Sequence, residues 1–133
     1  MSDSAGKVVG HSHVDAILND CVLLENWTST AAFAGKSFNL YNADSGHWEQ
    51  FWVDQTGSRL HLVGGIVDGA MVLQGVQDKP NAKTKLTQRE RITWTPNKDG
   101  SVRQLWETSN DDGATWSASF DGVYRRATMP APK

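Results

Sequence analysis

Apolar and polar residues alternate with a period of two along most of this chain. In HWEQFWVD (47–54), Trp48, Gln50, Trp52 and Asp54 fall on one face, and Glu49, Phe51 and Val53 on the other. SVRQLWETS (101–109) sets Val102, Gln104, Trp106 and Thr108 against Arg103, Leu105 and Glu107. In ATWSASFDGVYRR (114–126) the same rule aligns Trp116, Ala118, Phe120, Gly122 and Tyr124. This is the period of half-buried β-strands, and KVVGHSHV, CVLLENWT, KSFNLYNA, RLHLV, DGAMVLQGV and QRERITWT complete the set. Only VDAILND (14–20) has helical spacing, at Val14, Ile17 and Leu18. Seven residues make a marginal helix, so a helical turn and a bending strand both stay open there.

Between the runs stand regular turn signals: NADSG, DQTGS, VDG, KPNAK, PNKDG and NDDG. Asn/Asp-rich turns with a late glycine suit hairpins, because glycine tolerates positive φ. The spacing predicts one all-β domain over residues 1–126, an antiparallel up-and-down meander closed as a barrel or folded as a sandwich, followed by a disordered tail at 127–133. Several strands carry glutamine, arginine or tryptophan on both faces. A solid sandwich core would keep such polar groups outside. A barrel enclosing a cavity can turn Gln50, Gln104 and an arginine inward, with tryptophans as walls.

Composition sharpens this in two respects. The 133 residues include six tryptophans against two tyrosines and four phenylalanines, so the chain has either a thick aromatic core or an aromatic-lined pocket. Charged residues make up 21% and the formal charge is −2, which argues against nucleic acid as a partner. The cluster Lys83, Lys85, Arg89, Arg91 is interrupted by Glu90 and reads as the solvated end of a strand. One cysteine, Cys21, cannot form an internal disulfide and reads as a small buried apolar side chain. No run is long and apolar enough for a membrane helix, and MSDSAGK lacks a signal-peptide centre. The expectation is a cytoplasmic protein without a membrane partner.

The runs GKSFNLYNADSGHWEQFWVDQTG, GG–DGAMVLQG and RITWTPNKDGSVRQLWETSNDDGATWSASFDGVYRR together resemble a family of small bacterial proteins of unknown function. The motifs that carry the likeness are Trp48 with Trp52, RQxWExS, DGxTW and FDGxY, and it spans about Gly6 to Arg126. The resemblance implies a lipocalin-like, calycin-type β-barrel of about eight to ten strands, with a small hydrophobic or amphipathic molecule inside. The family usually begins with a further tryptophan-containing strand, which would lie just before Ser2. Its absence here leaves two unpaired edges and predicts a homodimer or an exchanged strand.

The candidate chemistry follows from residue types in place. For ligand binding, the constellation is Trp27, Tyr41, Trp48, Gln50, Trp52, Arg91, Gln104, Trp106 and Tyr124: indole walls with a few convergent polar groups. Arg91 or Arg103 is the expected partner of a ligand carboxylate or carbonyl. A simply filled barrel fits the same residues equally well. For catalysis, Glu25 interrupts the apolar run CVLLENW, as a general acid or base beside indoles would. The matching reaction class is hydrolysis of an ester or lactone. Glu49 and Glu107 read as solvent-facing partners of Arg91 or Arg103. No Gly-x-Ser-x-Gly elbow or phosphate loop is present, although Ser37, Ser101 and Ser119 are available as hydroxyls. SNDDGATW (109–116) is similar to an Asp-box, in which aspartate and serine tie down a hairpin. A four-residue hairpin supplies few of the six to eight oxygens calcium takes, so a structural turn is favoured over a calcium site at Asp111 and Asp112. No other cofactor is indicated. His11, His13, His47 and His61 have no metal-ligand spacing and read as exposed strand-face residues. A third alternative is a dimerising structural module with no ligand.

Overall fold

The computed structural model describes residues 1–3 and 5–126; the predicted tail at 127–133 lies outside them. Ten strands form one antiparallel sheet. They are β1 (Ser2–Asp3), β2 (Gly10–Ile17), β3 (Val22–Ser29), β4 (Ala34–Asn42), β5 (His47–Asp54), β6 (Arg59–Val67), β7 (Ala70–Val76), β8 (Arg89–Pro96), β9 (Val102–Ser109) and β10 (Ser117–Tyr124). From β2 to β10 each strand pairs with its sequence neighbours, and β1 lies beyond β10. The chain is therefore all-β, an up-and-down meander rolled into a nearly closed barrel. No helix among the described residues is long and apolar enough to cross a membrane.

The turn chemistry works as the sequence indicates. Asp68 and Gly69 both take positive φ, 51° and 81°, between the paired ends Val67 and Ala70. This is the backbone a two-residue hairpin needs to match strand twist. The segment 14–20 resolves as strand: β2 runs to Ile17, and Leu18, Asn19 and Asp20 turn with φ of 51°, 60° and 63°. Its apolar spacing reports the two faces of a strand end rather than a helix. Cys21, at that turn, is exposed and not the buried apolar side chain its neighbours suggest.

Closure rests on few residues. Ser2 and Asp3 pair with Val123 and Gly122 of β10. On their other side, Ser2 bridges Val8, Asp3 N–H donates to Lys7 O, and Val9 N–H donates to Met1 O. Beyond Gly10, β2 is paired along its length only with β3 among the described residues. Val14, on that stretch, is 52% exposed.

The core is off-centre. Leu60, Leu62, Leu73 and Ile92 are buried, with Trp48, Trp52, Met71, Trp94 and Trp106 packed on them. These come from β5–β9, so that side of the barrel is filled. The space against β3 and β10 is not.

Candidate functional site

An interior cavity of about 380 Å³ opens between the filled side and strands β3 and β10. Its floor is Leu60 and Ile92, its walls include Trp27, Trp52, Trp106, Phe33 and Phe120, and polar groups enter from Glu25, Gln50, Gln104, Ser119 and Tyr124. Alternation explains the convergence: Glu25 and Trp27 on β3, Gln50 and Trp52 on β5, and Gln104 and Trp106 on β9 lie two residues apart on one face.

Two glycines give the indoles their seats. A Cβ at Gly35 would lie 2.2 Å from the six-membered ring of Trp52, and one at Gly10 would lie 2.6 Å from Trp27. Each indole thus lies flat over backbone that has no side chain of its own. The Trp52 N–H donates to Asp54 Oδ2 at 3.1 Å. Burial pushes the Asp54 carboxyl up, but hydrogen bonds from Thr56, Trp52 and Ser58 outweigh it, and the group titrates below its usual range.

Glu25 is the hub of a hydroxyl network. Ser12 Oγ donates to its Oε2 at 3.0 Å and Ser37 Oγ to its Oε1 at 2.9 Å. Ser37 in turn accepts from Asn39 Nδ2 at 2.8 Å and Gln50 Nε2 at 3.3 Å. Every donor in this chain points toward the carboxylate, so the Gln50 carbonyl oxygen is left over as an acceptor. The Tyr124 hydroxyl stands nearby. Burial first, then the Glu25 charge, pushes its pKa well above 10, with the Trp27 N–H only partly offsetting them.

A second carboxylate, Glu90, is buried at 2% exposure. Thr108 Oγ1 donates to it at 2.9 Å and meets Ser119 Oγ at 2.6 Å. Since Thr108 gives its one proton to Glu90, Ser119 must donate to Thr108, which leaves the Ser119 lone pairs free at the cavity wall. Burial pushes the Glu90 carboxyl up; Thr108 and the nearby N–H groups of Trp106 and Gln77 only partly offset this. The Trp106 N–H favours the charge by its nearness, yet it falls outside hydrogen-bond geometry and is buried without another partner among the described residues.

Of the residues singled out by sequence, the structure gathers Glu25, Trp27, Gln50, Trp52, Gln104, Trp106 and Tyr124 around one cavity. Trp48 packs in the apolar core, with Tyr41 edge-on at 5.6 Å and 52% exposed; neither lines the cavity. Arg91 is on the outside, 3.2 Å from Glu107 Oε1 and 4.0 Å from the centre of the Trp116 ring. Arg103 is outside too, in a two-bond pair with Asp121 at 2.9 and 2.7 Å. The expected inward arginine is therefore corrected: on β8 it is Glu90, alternating with Ile92, that looks inward. Trp116 and Ala118 are also displaced from their predicted face. The β9–β10 register shifts between Ala118 and Phe120, and this bulge at Ser119 turns the start of the strand over.

Glu107 lies on the outer face and pairs with Arg91, as expected. Glu49 is on the outer face too, but it is mostly covered and its partners are Asn42 Nδ2 and His61 Nε2, both at 2.7 Å, in place of the expected arginine. SNDDGATW is a turn whose carboxylates are already engaged. Asp111 Oδ1 accepts from Ser109 Oγ and Thr115 N–H, both at 2.8 Å, and Oδ2 accepts from Thr115 Oγ1. Asp112 takes φ of 58° and accepts from Arg89 Nε at 2.8 Å. Both lie away from the cavity. No group of three or more His, Cys, Asp or Glu among the described residues is placed to hold a metal ion.

Sequence reasoning missed Glu90, Phe33 and Phe120 as site residues, and named Ser119 only as an available hydroxyl. Glu90 was readable from its parity with Ile92 and Trp94; the bulge that brings in Ser119 leaves no signal in the alternation. No protein-family model, curated protein or solved structure matches the chain, so the reading of the site rests on its own geometry.

Proposed function

We propose that this protein binds a small hydrophobic or amphipathic molecule inside the barrel. The observation that carries this reading is the cavity of about 380 Å³, walled by aromatic rings and entered by a few polar side chains. Such a combination gives apolar area for affinity and a few directed hydrogen bonds for orientation. The test is binding of the neutral dye Nile red, followed by its fluorescence gain and blue shift. Wild type binds one dye per chain; Gln104→Trp, which fills the cavity from its wall, loses the signal while still unfolding cooperatively. Equal signal from both proteins would place the dye elsewhere and refute the reading.

A second reading, that the chain also pairs with a copy of itself, is favoured by the bare outer edge of β2. An antiparallel pairing centred on Val14 sets His13 across from Asp15 of the partner subunit, twice over by symmetry, and buries two exposed valines. Sedimentation analysis at micromolar concentration distinguishes the cases. Wild type sediments as a dimer and Val14→Lys, a charge placed at the edge, as a monomer. A monomeric wild type refutes the pairing.

A further inference from the structure

The charged side chains around the cavity carry one sign only among the described residues. The charged side chains on its wall are Glu25 and Asp54; no lysine or arginine among the described residues lines it. Both candidate cations for an anionic ligand, Arg91 and Arg103, are spent outside on Glu107 and Asp121. Asp54 is already engaged, accepting from the Thr56 N–H and hydroxyl and from the Trp52 N–H. The Met1 amino group reaches the wall but donates to Gly10 O at 2.7 Å. Glu25 forms no ion pair among the described residues.

The hydrogen-bond directions point the same way. Ser12 and Ser37 give their protons to Glu25, Gln50 gives an amide proton to Ser37, and Ser119 gives its proton to Thr108. Gln104, the Tyr124 hydroxyl and the unpartnered Trp106 N–H keep donors on the wall, but the groups left over in the Glu25 network itself are lone pairs: the second sites of the Glu25 oxygens and the Gln50 carbonyl. An anion or a pure acceptor would meet repulsion there. A cation would meet a carboxylate with the rings of Trp27 and Tyr124 on the same wall, and aromatic ring faces attract cations.

We infer that the ligand is an organic cation, a primary or quaternary ammonium carrying a short apolar body, with its nitrogen beside Glu25 and its body on Leu60 and Ile92. This rests on the cavity being a binding site at all, and the experiment separates the two. Three eight-carbon probes differing only in head group are titrated while tryptophan fluorescence is followed: octyltrimethylammonium, 1-octanol and octanoate. The ammonium binds wild type at least about tenfold more tightly than the alcohol, and octanoate more weakly still. Glu25→Gln, shown to be folded by its cooperative unfolding, loses the preference for the ammonium over 1-octanol. Equal or tighter binding of 1-octanol or octanoate to wild type overturns the cation and leaves the cavity standing, as does an undiminished preference in Glu25→Gln. Failure of all three probes to bind wild type overturns the cavity and the cation together. The ranking in wild type does not depend on how the variant folds.

Discussion

Gly64 and Gly65 are adjacent in sequence and on one strand, yet an added methyl has opposite consequences at the two. At Gly64 a Cβ would stand 1.9 Å from the Val72 carbonyl oxygen, 3.0 Å from its carbon and 3.1 Å from Leu73 Cα. All three are backbone atoms of β7 and cannot rotate away. Relief requires β6 and β7 to part where Gly64 pairs with Leu73, beside the buried Leu62 and Leu73 side chains. Overpacking of a core commonly costs about 1–3 kcal/mol, and one or two weakened ladder hydrogen bonds add about 1 kcal/mol each. Gly64→Ala therefore destabilises by roughly 2–5 kcal/mol, a large part of the ~5–15 kcal/mol that holds a domain together. At Gly65 nothing lies within 4 Å of the added atom, and its φ is not positive. There alanine chiefly restricts the unfolded chain, and stabilises by about 0.4–1 kcal/mol. Urea unfolding of both variants, with m-values compared to confirm two-state behaviour, measures the gap. A Gly64→Ala protein within about 0.5 kcal/mol of Gly65→Ala would refute the close approach of β6 to β7.

Three further outcomes follow from the site and its charges. Gly35→Ala, whose methyl meets the Trp52 ring at 2.2 Å, drives the indole into the cavity; ligand binding weakens at least about tenfold, a 1.4 kcal/mol effect, read by the same fluorescence titration, and unchanged affinity would mean Trp52 is not a wall. Burial raises the Glu90 carboxyl above its ordinary 4.5. Below pH 4.5 both folded and unfolded chains hold the proton and no difference arises; as pH rises through the raised value, the unfolded chain ionises first and the native state loses stability. Urea unfolding of wild type and Glu90→Gln at pH 4 and pH 8 checks this, the variant gaining on wild type as pH rises; a constant difference would refute the burial penalty. Asp99, held down to about 2 first by the Ser101 side chain and backbone and then by Arg125, contributes stability present above its ordinary 3.8 and lost as pH falls through about 2. Carbon-detected NMR titration reads that midpoint directly, and a midpoint near 3.8 would mean the Asp99–Ser101 turn is open in solution.

How much of this was legible in the sequence depends on whether a feature is local. The strands from β2 to β10, their hairpins and which residues share a face on β5 and β9 follow from alternation and turn glycines, which are properties of short windows. That is why Glu25, Trp27, Gln50, Trp52, Gln104, Trp106 and Tyr124 were found before the fold was known. Trp48 shares the face of Trp52 but sits farther along β5, against Leu62 and its neighbours; alternation gives the face and not the depth. Arg91 was expected inward as the partner of a ligand carboxylate or carbonyl, although it alternates with Glu90, Ile92 and Trp94 and so falls on the opposite face. The bulge at Ser119 and the closure by Ser2 and Asp3 depend on the fit between distant segments, and neither leaves a periodic trace.

The order of the ladder has a consequence for how the barrel comes into being. Every pairing from β2 to β10 joins neighbours in sequence, so the sheet can grow as a strip, one hairpin at a time as the chain is made. The pairing of Ser2 and Asp3 with Val123 and Gly122 is the exception. It joins strands at opposite ends of the described series, and its loop-closure entropy exceeds that of any hairpin among them, though it grows only logarithmically with the length enclosed. Of the described strands β1 waits longest for its partner, and two residues hold what then forms. A molecule lying between Trp27 of β3 and Tyr124 of β10 touches both an early and a late strand. Its occupancy would favour the rolled state over the strip, and so act on the lifetime of the folded protein as well as filling its interior.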